Sequence, residues 1–293
     1  MAGAAEPAPR RPGYGPAVNT DRRLEQANDN SASFWLAQAR VHGWQTRVRP
    51  GWTAVRGART PDDVHRVVIT RPYAEPGLLE RELTELVTEW STVSLAVEDL
   101  YGGLDLHPFG PGRVSVMPVM FREPGPAVDG AAEHGAAEHG AVVPPATSRT
   151  RDGSLLTVVE ARDADTFAQV ERVIVDGFPL PARQPWVRGD ALPWRLLAEP
   201  GCRGWLGSID GDPVGACLTY DDGLMTGVYW VATLPGRRGQ GVGAAVTRAA
   251  LAHAHPDRPA TLVASTLGEP VYRKLGFTES ARTCRWSLAV AGG

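Results

Sequence analysis

Apolar positions in the second half of the chain switch repeatedly between a two-residue and a three-to-four-residue spacing. SLLTVVEARD reads as a strand, and the following ADTFAQVERVIVDGF as an amphipathic helix with Phe167, Val170, Val173 and Ile174 on one face. CRGWLGSID and DPVGACLTYDD flank the turn DGDP and predict a hairpin. LMTGVYWVATL is a long β-rich run, and Ala244 to His255 is a strong helix former. ATLVAST reads as a buried strand. EPVYRKLGF reads as a helix, with a proline after Glu269 suited to the first helical position and Gly276 suited to the C-terminal cap. ARTCRWSLAV is the last strand.

The first half repeats the end of this order more loosely. RVVITRPY is a strand, and LLERELTELVTEW a helix with Leu79, Leu83, Leu86 and Val87 on one face. VSLAVEDL is a strand, LYGGLDLHPFG a turn-rich connector and RVSVMPVMFRE a final strand. The shared order suggests a divergent structural repeat. Residues 1–30 lack periodicity and are rich in Ala, Pro and Gly, so they read as a disordered tail. Residues 123–151 hold a tandem GAAEH repeat with His134 and His139. Two histidines in a glycine-rich coil make a poor metal site, and a flexible linker is the expectation. The expected organisation is a tail at 1–30, a first domain at 31–122, a linker at 123–151 and a second domain at 152–293.

Composition narrows the function little. The 293 residues are 43% apolar and 22% charged with net charge −3, ordinary for a globular protein and unlike a nucleic-acid binder. Cys202, Cys217 and Cys284 are widely spread, with no CxxC or Cys/His cluster, so reduced thiols and no metal are expected. The first residues lack a signal peptide's apolar core, and no apolar run is long enough to span a membrane. A cytoplasmic protein without membrane contact is the expectation, as a monomer or homodimer.

The stretch TLPGRRGQGVGAAV, Thr233 to Val246, carries the chemistry. A helix N-terminus leaves backbone N–H groups without partners and gathers roughly half a positive charge. Glycines remove Cβ atoms and let an anion approach those groups, and Arg237 and Arg238 raise the local potential. This points to a diphosphate. A P-loop needs GxxxxGK[ST], which is absent. A dinucleotide loop needs GxGxxG and an acid about twenty residues on. Here Gly239, Gly241 and Gly243 alternate, and ATLVAST does not end in an acid.

RRGQGVGA resembles the Q/R-x-x-G-x-G/A signature of the GNAT superfamily of N-acetyltransferases, with Arg238, Gly241 and Gly243 at the marked positions. VATLP is similar to the V-x-V-x-P that ends the family's fourth strand, with Val231, Thr233 and Pro235. VYRKLGF is similar to its A-x-x-x-Y-x-x-x-GF region, with Tyr272, Gly276 and Phe277. The resemblance covers about residues 152–290. It departs where Ser265 stands for the usual Asn and Gly268 for the usual Ala.

The resemblance implies an α/β (α+β) GNAT fold with a mixed, mostly antiparallel sheet flanked by helices, in tandem with a degenerate N-terminal copy. It implies acetyl-CoA as cosubstrate. The diphosphate would lie on the N–H groups of Arg238, Gly239, Gln240, Gly241, Val242, Gly243 and Ala244, and the pantetheine along Val231, Ala232 and Thr233, with Ser265 nearby. Arg237 is read as surface charge. Tyr272 matches the family's general acid, since a phenol of pKa near 10 is protonated at neutral pH. No acidic residue lies within LMTGVYWVAT. Asp221 and Asp222 could act through water, although Asp-Asp-Gly is an ordinary turn. Phe178, Trp186 and Trp194 could line an acceptor pocket, with Asp221 a further candidate contact; Trp230 adjoins the cofactor strand.

The expected function is acetyl transfer to a primary amine of a small molecule, amino acid or peptide. The alternative is a non-catalytic acyl-CoA sensor or regulatory module.

Overall fold

The last strand of each half lies in the other half's part of a single sheet. The computed structural model describes residues 22–57, 65–91, 94–125, 145–178 and 183–290. The first half contains α1 (Arg22–His42), β1 (Gln45–Arg49), β2 (Trp52–Arg56), β3 (His65–Ile69), α2 (Pro76–Glu89), β4 (Ser94–Asp99) and β5 (Gly112–Arg122). The second contains β6 (Ala146–Arg149), β7 (Leu155–Ala161), α3 (Ala164–Gly177), β8 (Cys202–Ile209), β9 (Asp212–Asp221), β10 (Thr226–Thr233), α4 (Val242–Ala252), β11 (Ala260–Val263), α5 (Glu269–Lys274) and β12 (Thr278–Ala289).

These strands form one 12-stranded sheet in the order β1-β2-β3-β4-β12-β5-β11-β10-β9-β8-β7-β6. Only β3/β4 and β10/β11 pair in parallel, so the sheet is mixed and mostly antiparallel, as the family resemblance implies. Each half places a helix between its parallel strands, α2 in one and α4 in the other. Its closing strand then crosses over: β5 pairs with β11, and β12 pairs with both β4 and β5. This exchange corrects the expected partition, because Thr278–Ala289 was counted with the second domain.

The helices form locally for the reasons the sequence offers. Asp163 caps α3, accepting from the N–H groups of Asp165 at 2.9 Å and Thr166 at 2.8 Å. The predicted apolar face of α3, Phe167, Val170, Val173 and Ile174, is buried against β8, β9 and β10. On the opposite face of the sheet α4 comes unusually close. A Cβ on Gly215 would lie 2.3 Å from Val242 Cγ1, and one on Gly207 2.8 Å from Val246 Cγ1. These two glycines of β9 and β8 seat α4 and so fix where its N-terminus points.

Helix α1 is the main departure. Residues 22–30 were expected in a disordered tail, yet they form its first turns, while residues 1–21 lie outside the described region. Its stability comes from tertiary burial rather than an obvious stripe. One side inserts Phe34 and Ala37 into the core of the second half, and another packs Ala32, Trp35 and Ala39 on Val55 and Val68 of the first. Fully burying a side chain such as Phe34 contributes about 1.5–3 kcal/mol. Strand β6 is a second correction, since Ala146–Arg149 falls in the expected linker yet pairs with β7. His134 and His139 lie outside the described residues. The three cysteines are free; burial pushes the Cys202 thiol up to about 12 and raises Cys217 and Cys284. No described helix is long and apolar enough to cross a membrane.

Candidate functional site

Strands β10 and β11 are paired at only two positions, Thr226↔Ala260 and Gly227↔Thr261, and then separate. β10 continues along β9, but with a bulge: Tyr229↔Leu218 is followed by Ala232↔Ala216. Two residues, Trp230 and Val231, thus face one residue of β9. Trp230 has φ +54°, a conformation that is costly for a bulky side chain and persists only when its surroundings fix it. Trp35 meets its ring edge-on at 6.1 Å, and Phe178 at 5.8 Å. The result is an unzipped strand edge with a held kink. Val231 faces the α4 and α5 side, Ala232 is buried toward α3, and Thr233 is half-buried.

The glycine-arginine loop leaves β10 as a short 3-10 turn, Pro235–Arg237, and reaches α4 through two residues in the left-handed region, Gly239 (φ +76°) and Gly241 (φ +90°). Gly241 is the N-cap and gives no side-chain cap; its carbonyl accepts the first helical bond from Ala245 at 3.0 Å. The N–H groups of Val242, Gly243 and Ala244 therefore lie ahead of the hydrogen-bonded ladder. A Cβ at Gly239 or Gly241 would meet no atom within 4 Å, so this side of the loop is open. Gly243 differs. A Cβ there would come into ordinary contact with Thr233 Oγ1 at 3.5 Å, so this position faces the strand end instead of open space. Gln240 accepts from the Arg151 N–H at 3.3 Å, and its side-chain Oε1 is buried without a partner.

The two arginines differ in their partners. Arg238 donates one bond to the Gly177 carbonyl at 2.9 Å, where α3 ends, and so braces the loop at the negative end of that helix. The Arg237 guanidinium makes no hydrogen bond or ion pair with any described residue, so it is the loop's uncommitted cation. The sequence signature marks Arg238 and carries no signal for this difference.

Tyr272 sits on α5, buried among Val228, Leu262, Ala264 and Phe277, with the Phe277 ring 6.0 Å away. Its hydroxyl takes no hydrogen bond from the described residues. Burial, with Cys217 adding a smaller effect, raises its pKa well above the ordinary phenol value. Ser265 Oγ accepts from the Gly268 N–H at 3.1 Å at the start of α5, which leaves its O–H free to donate.

The opposite face of the bulge is lined from α1 and α3. Tyr229 stacks on Phe34 at 4.1 Å and donates to Asn30 Oδ1 at 2.6 Å; Asn30 in turn donates to the Tyr220 and Met225 carbonyls at 3.3 and 3.1 Å. Of the aromatic residues expected at an acceptor pocket, the structure brings Phe178 to Trp230. It leaves Trp186 under the Arg172 guanidinium on the outer side of α3, and Trp194 55% exposed. Asp221 pairs with Arg258 and accepts from the Gly223 N–H at 2.8 Å and the Thr226 hydroxyl at 3.1 Å. It lies beside Thr226, about 13 Å of strand from the bulge, and so outside the cleft. Asp222 accepts from the N–H groups of Leu224 and Met225 in the same turn. Asn30, Phe34 and Trp35 escaped sequence reasoning because nothing local marks them.

Residues 200–279 match the family model of the acetyltransferase (GNAT) domain. No curated protein matches the chain significantly. Among solved structures, the chain is similar to a GCN5-related N-acetyltransferase from Kribbella flavida (19% identity, TM-score 0.55, covering 89% of this chain and 96% of that one). It is also similar to a functionally unknown conserved protein from Staphylococcus epidermidis (12% identity, TM-score 0.52, 85% and 96%). A third likeness is to a GCN5-related N-acetyltransferase from Sphaerobacter thermophilus (15% identity, TM-score 0.50, 83% and 78%). At such identities the likeness is one of fold. The sequence match is to the acetyltransferase (GNAT) domain over residues 200–279, and the solved structures share the fold around it.

Proposed function

We propose that the protein is an acetyl-CoA-dependent N-acetyltransferase acting on a primary amine. The observation that carries this reading is the juxtaposition of an open, uncapped α4 N-terminus with the unzipped edge of β10. The residues fit the cosubstrate: two positions without a Cβ leave the loop open, and the first N–H groups of α4 have no side-chain cap. The N–H groups of Gly239 to Ala244, with Arg237, would hold the diphosphate, and the free edge of β10 at Val231 to Thr233 would bind the pantetheine amides. Bound there, acetyl-CoA supplies an activated acyl group and a thiol leaving group.

The chain's own residues set the rest of the chemistry. Backbone N–H groups at the bulge are preorganised donors, each worth about 3–4 kcal/mol where negative charge develops on oxygen. Tyr272 remains protonated throughout the physiological range. Because burial raises its pKa above that of a thiol, about 8.5 for a free cysteine, full proton transfer to a thiolate is uphill. Tyr272 therefore acts first as a hydrogen-bond donor at the leaving sulfur. Glu98 and Asp221 are both committed to arginines, which leaves removal of the amine proton to water.

The same commitment favours a second reading, an acyl-CoA-binding module without turnover. Free-thiol release from acetyl-CoA across an amine panel separates the two. Turnover with at least one amine, lowered about tenfold or more in Tyr272→Phe, supports the enzyme. Coenzyme A binding without thiol release from acetyl-CoA in the presence of any amine would sink it.

A further inference from the structure

On the α1 face of the sheet, beyond the bulge, lies a charged cluster that the acyl-transfer chemistry does not use. Glu98 of β4 accepts from Arg66 of β3, from Arg285 of β12 at 3.1 Å and from Ser31 of α1 at 3.0 Å. Both guanidinium groups bond the same oxygen, Oε1, so two cations share one carboxylate and the cluster carries a net positive charge. Beyond the stacking of Arg66 on Trp35, neither arginine has another partner among the described residues, and the Nε of each is buried without an acceptor. Burial lowers the Arg66 pKa, with Arg285 adding to the effect and Glu98 opposing it.

The cluster adjoins the bulge. The Arg66 guanidinium lies 4.3 Å over Trp35, whose ring meets Trp230 at 6.1 Å. Adjacent residues of α1 join the two places, Asn30 bonding Tyr229 and Ser31 bonding Glu98. Arg285 stands two strands from β11, about 10 Å, and its side chain is 33% exposed. The strand exchange is what brings it there, since β12 carries Arg285 from the second half into the first.

We propose that Arg66 and Arg285 bind an oxyanion group carried by the amine acceptor, so that the substrate is an amino-acid-like amine and not a plain one. This rests on the acyl-transfer reading above. Guanidinium forks match a carboxylate or a phosphonate in two-point fashion, and Glu98 holds both forks in place. Trp35 and Trp230 would cover the body of the acceptor between its two ends.

Calorimetric titration of the coenzyme A-saturated protein tests this without requiring turnover. The probes are β-alanine, 5-aminopentanoate, glycylglycine and 3-aminopropylphosphonate, against propylamine and pentylamine. At least one anionic probe should bind about tenfold or more tightly than the plain amine of its length, the gain expected of one charge-assisted contact. The carboxylate and phosphonate arms show which oxyanion is preferred. Arg285→Ala should reduce that ratio toward one, Arg285→Lys should restore part of it, and retained coenzyme A binding shows that each variant is folded. Equal binding of anionic and plain probes overturns the proposal, as does a preference that survives Arg285→Ala. Absence of thiol release with every amine, with the ratio intact, would sink only the acyl-transfer reading.

Discussion

Replacing Gly241 by alanine perturbs two separable quantities. Gly241 has φ +90° and ψ 0° as the N-cap of α4, a region that costs an L residue about 1–2 kcal/mol. For a chain of this size each kcal/mol corresponds to roughly 2–4 °C in Tm. The added methyl meets no protein atom within 4 Å, so the stability loss should stop there. The same methyl occupies the open side of the loop, where an anion would lie against the N–H groups of Val242 to Ala244. Losing one charge-assisted hydrogen bond costs about 1.5–3 kcal/mol, or roughly 10- to 150-fold in Kd. Gly236→Ala is the control: that glycine also has open space around it, but its φ is not positive. Thermal denaturation and calorimetric titration with coenzyme A read the two effects independently. Gly241→Ala should melt a few degrees lower and bind at least tenfold more weakly, while Gly236→Ala should do neither. A Gly241→Ala protein with lowered Tm and wild-type affinity for coenzyme A would refute the cradle.

Arg237→Ala should weaken coenzyme A binding more than Arg238→Ala, whereas Arg238→Ala should cost more stability, because only Arg238 is bonded to the end of α3; titration and melting curves on both variants decide this. Tyr272→Phe should lower kcat by about tenfold or more with little change in coenzyme A affinity or Tm, since its hydroxyl has no protein partner to lose; unchanged kcat would remove it from the chemistry. Asp163→Ala deletes the α3 cap and should cost about 1 kcal/mol in urea denaturation. Glu98→Gln leaves two facing arginines unpaired and should cost about 3 kcal/mol at neutral pH, the low end for a buried pair because Arg285 is partly exposed. Burial alone would raise the Glu98 carboxyl, but Arg285, Arg66 and Ser31 hold it below the ordinary value. Its folded-state pKa is thus depressed. The stabilisation is fully present above the unfolded carboxylate pKa, about 4.3, and is lost as pH falls through the folded value. The gap between wild type and Glu98→Gln should therefore be full at pH 7 and close in the acid limb.

The sequence by itself determined the local elements and the position of the glycine-arginine loop between strand and helix. The two-residue period of the strands, the apolar face of α3, the turn at Asp210–Gly211 and the run Gly239 to Ala244 are short-range signals, and each is legible because its cause lies within a few residues. The tertiary structure decided what those elements share. Strand exchange between the halves depends on edges that are complementary only once both sheets exist, so no local pattern announces that β12 leaves its own half. Helix α1 went unread for a related reason: its buried residues face two different cores, and burial on two sides erases the single stripe by which a surface helix is recognised. The partners of polar side chains were equally out of reach. Arg237 and Arg238 are adjacent and chemically identical, and only the position of the α3 carboxyl end separates a brace from a free cation.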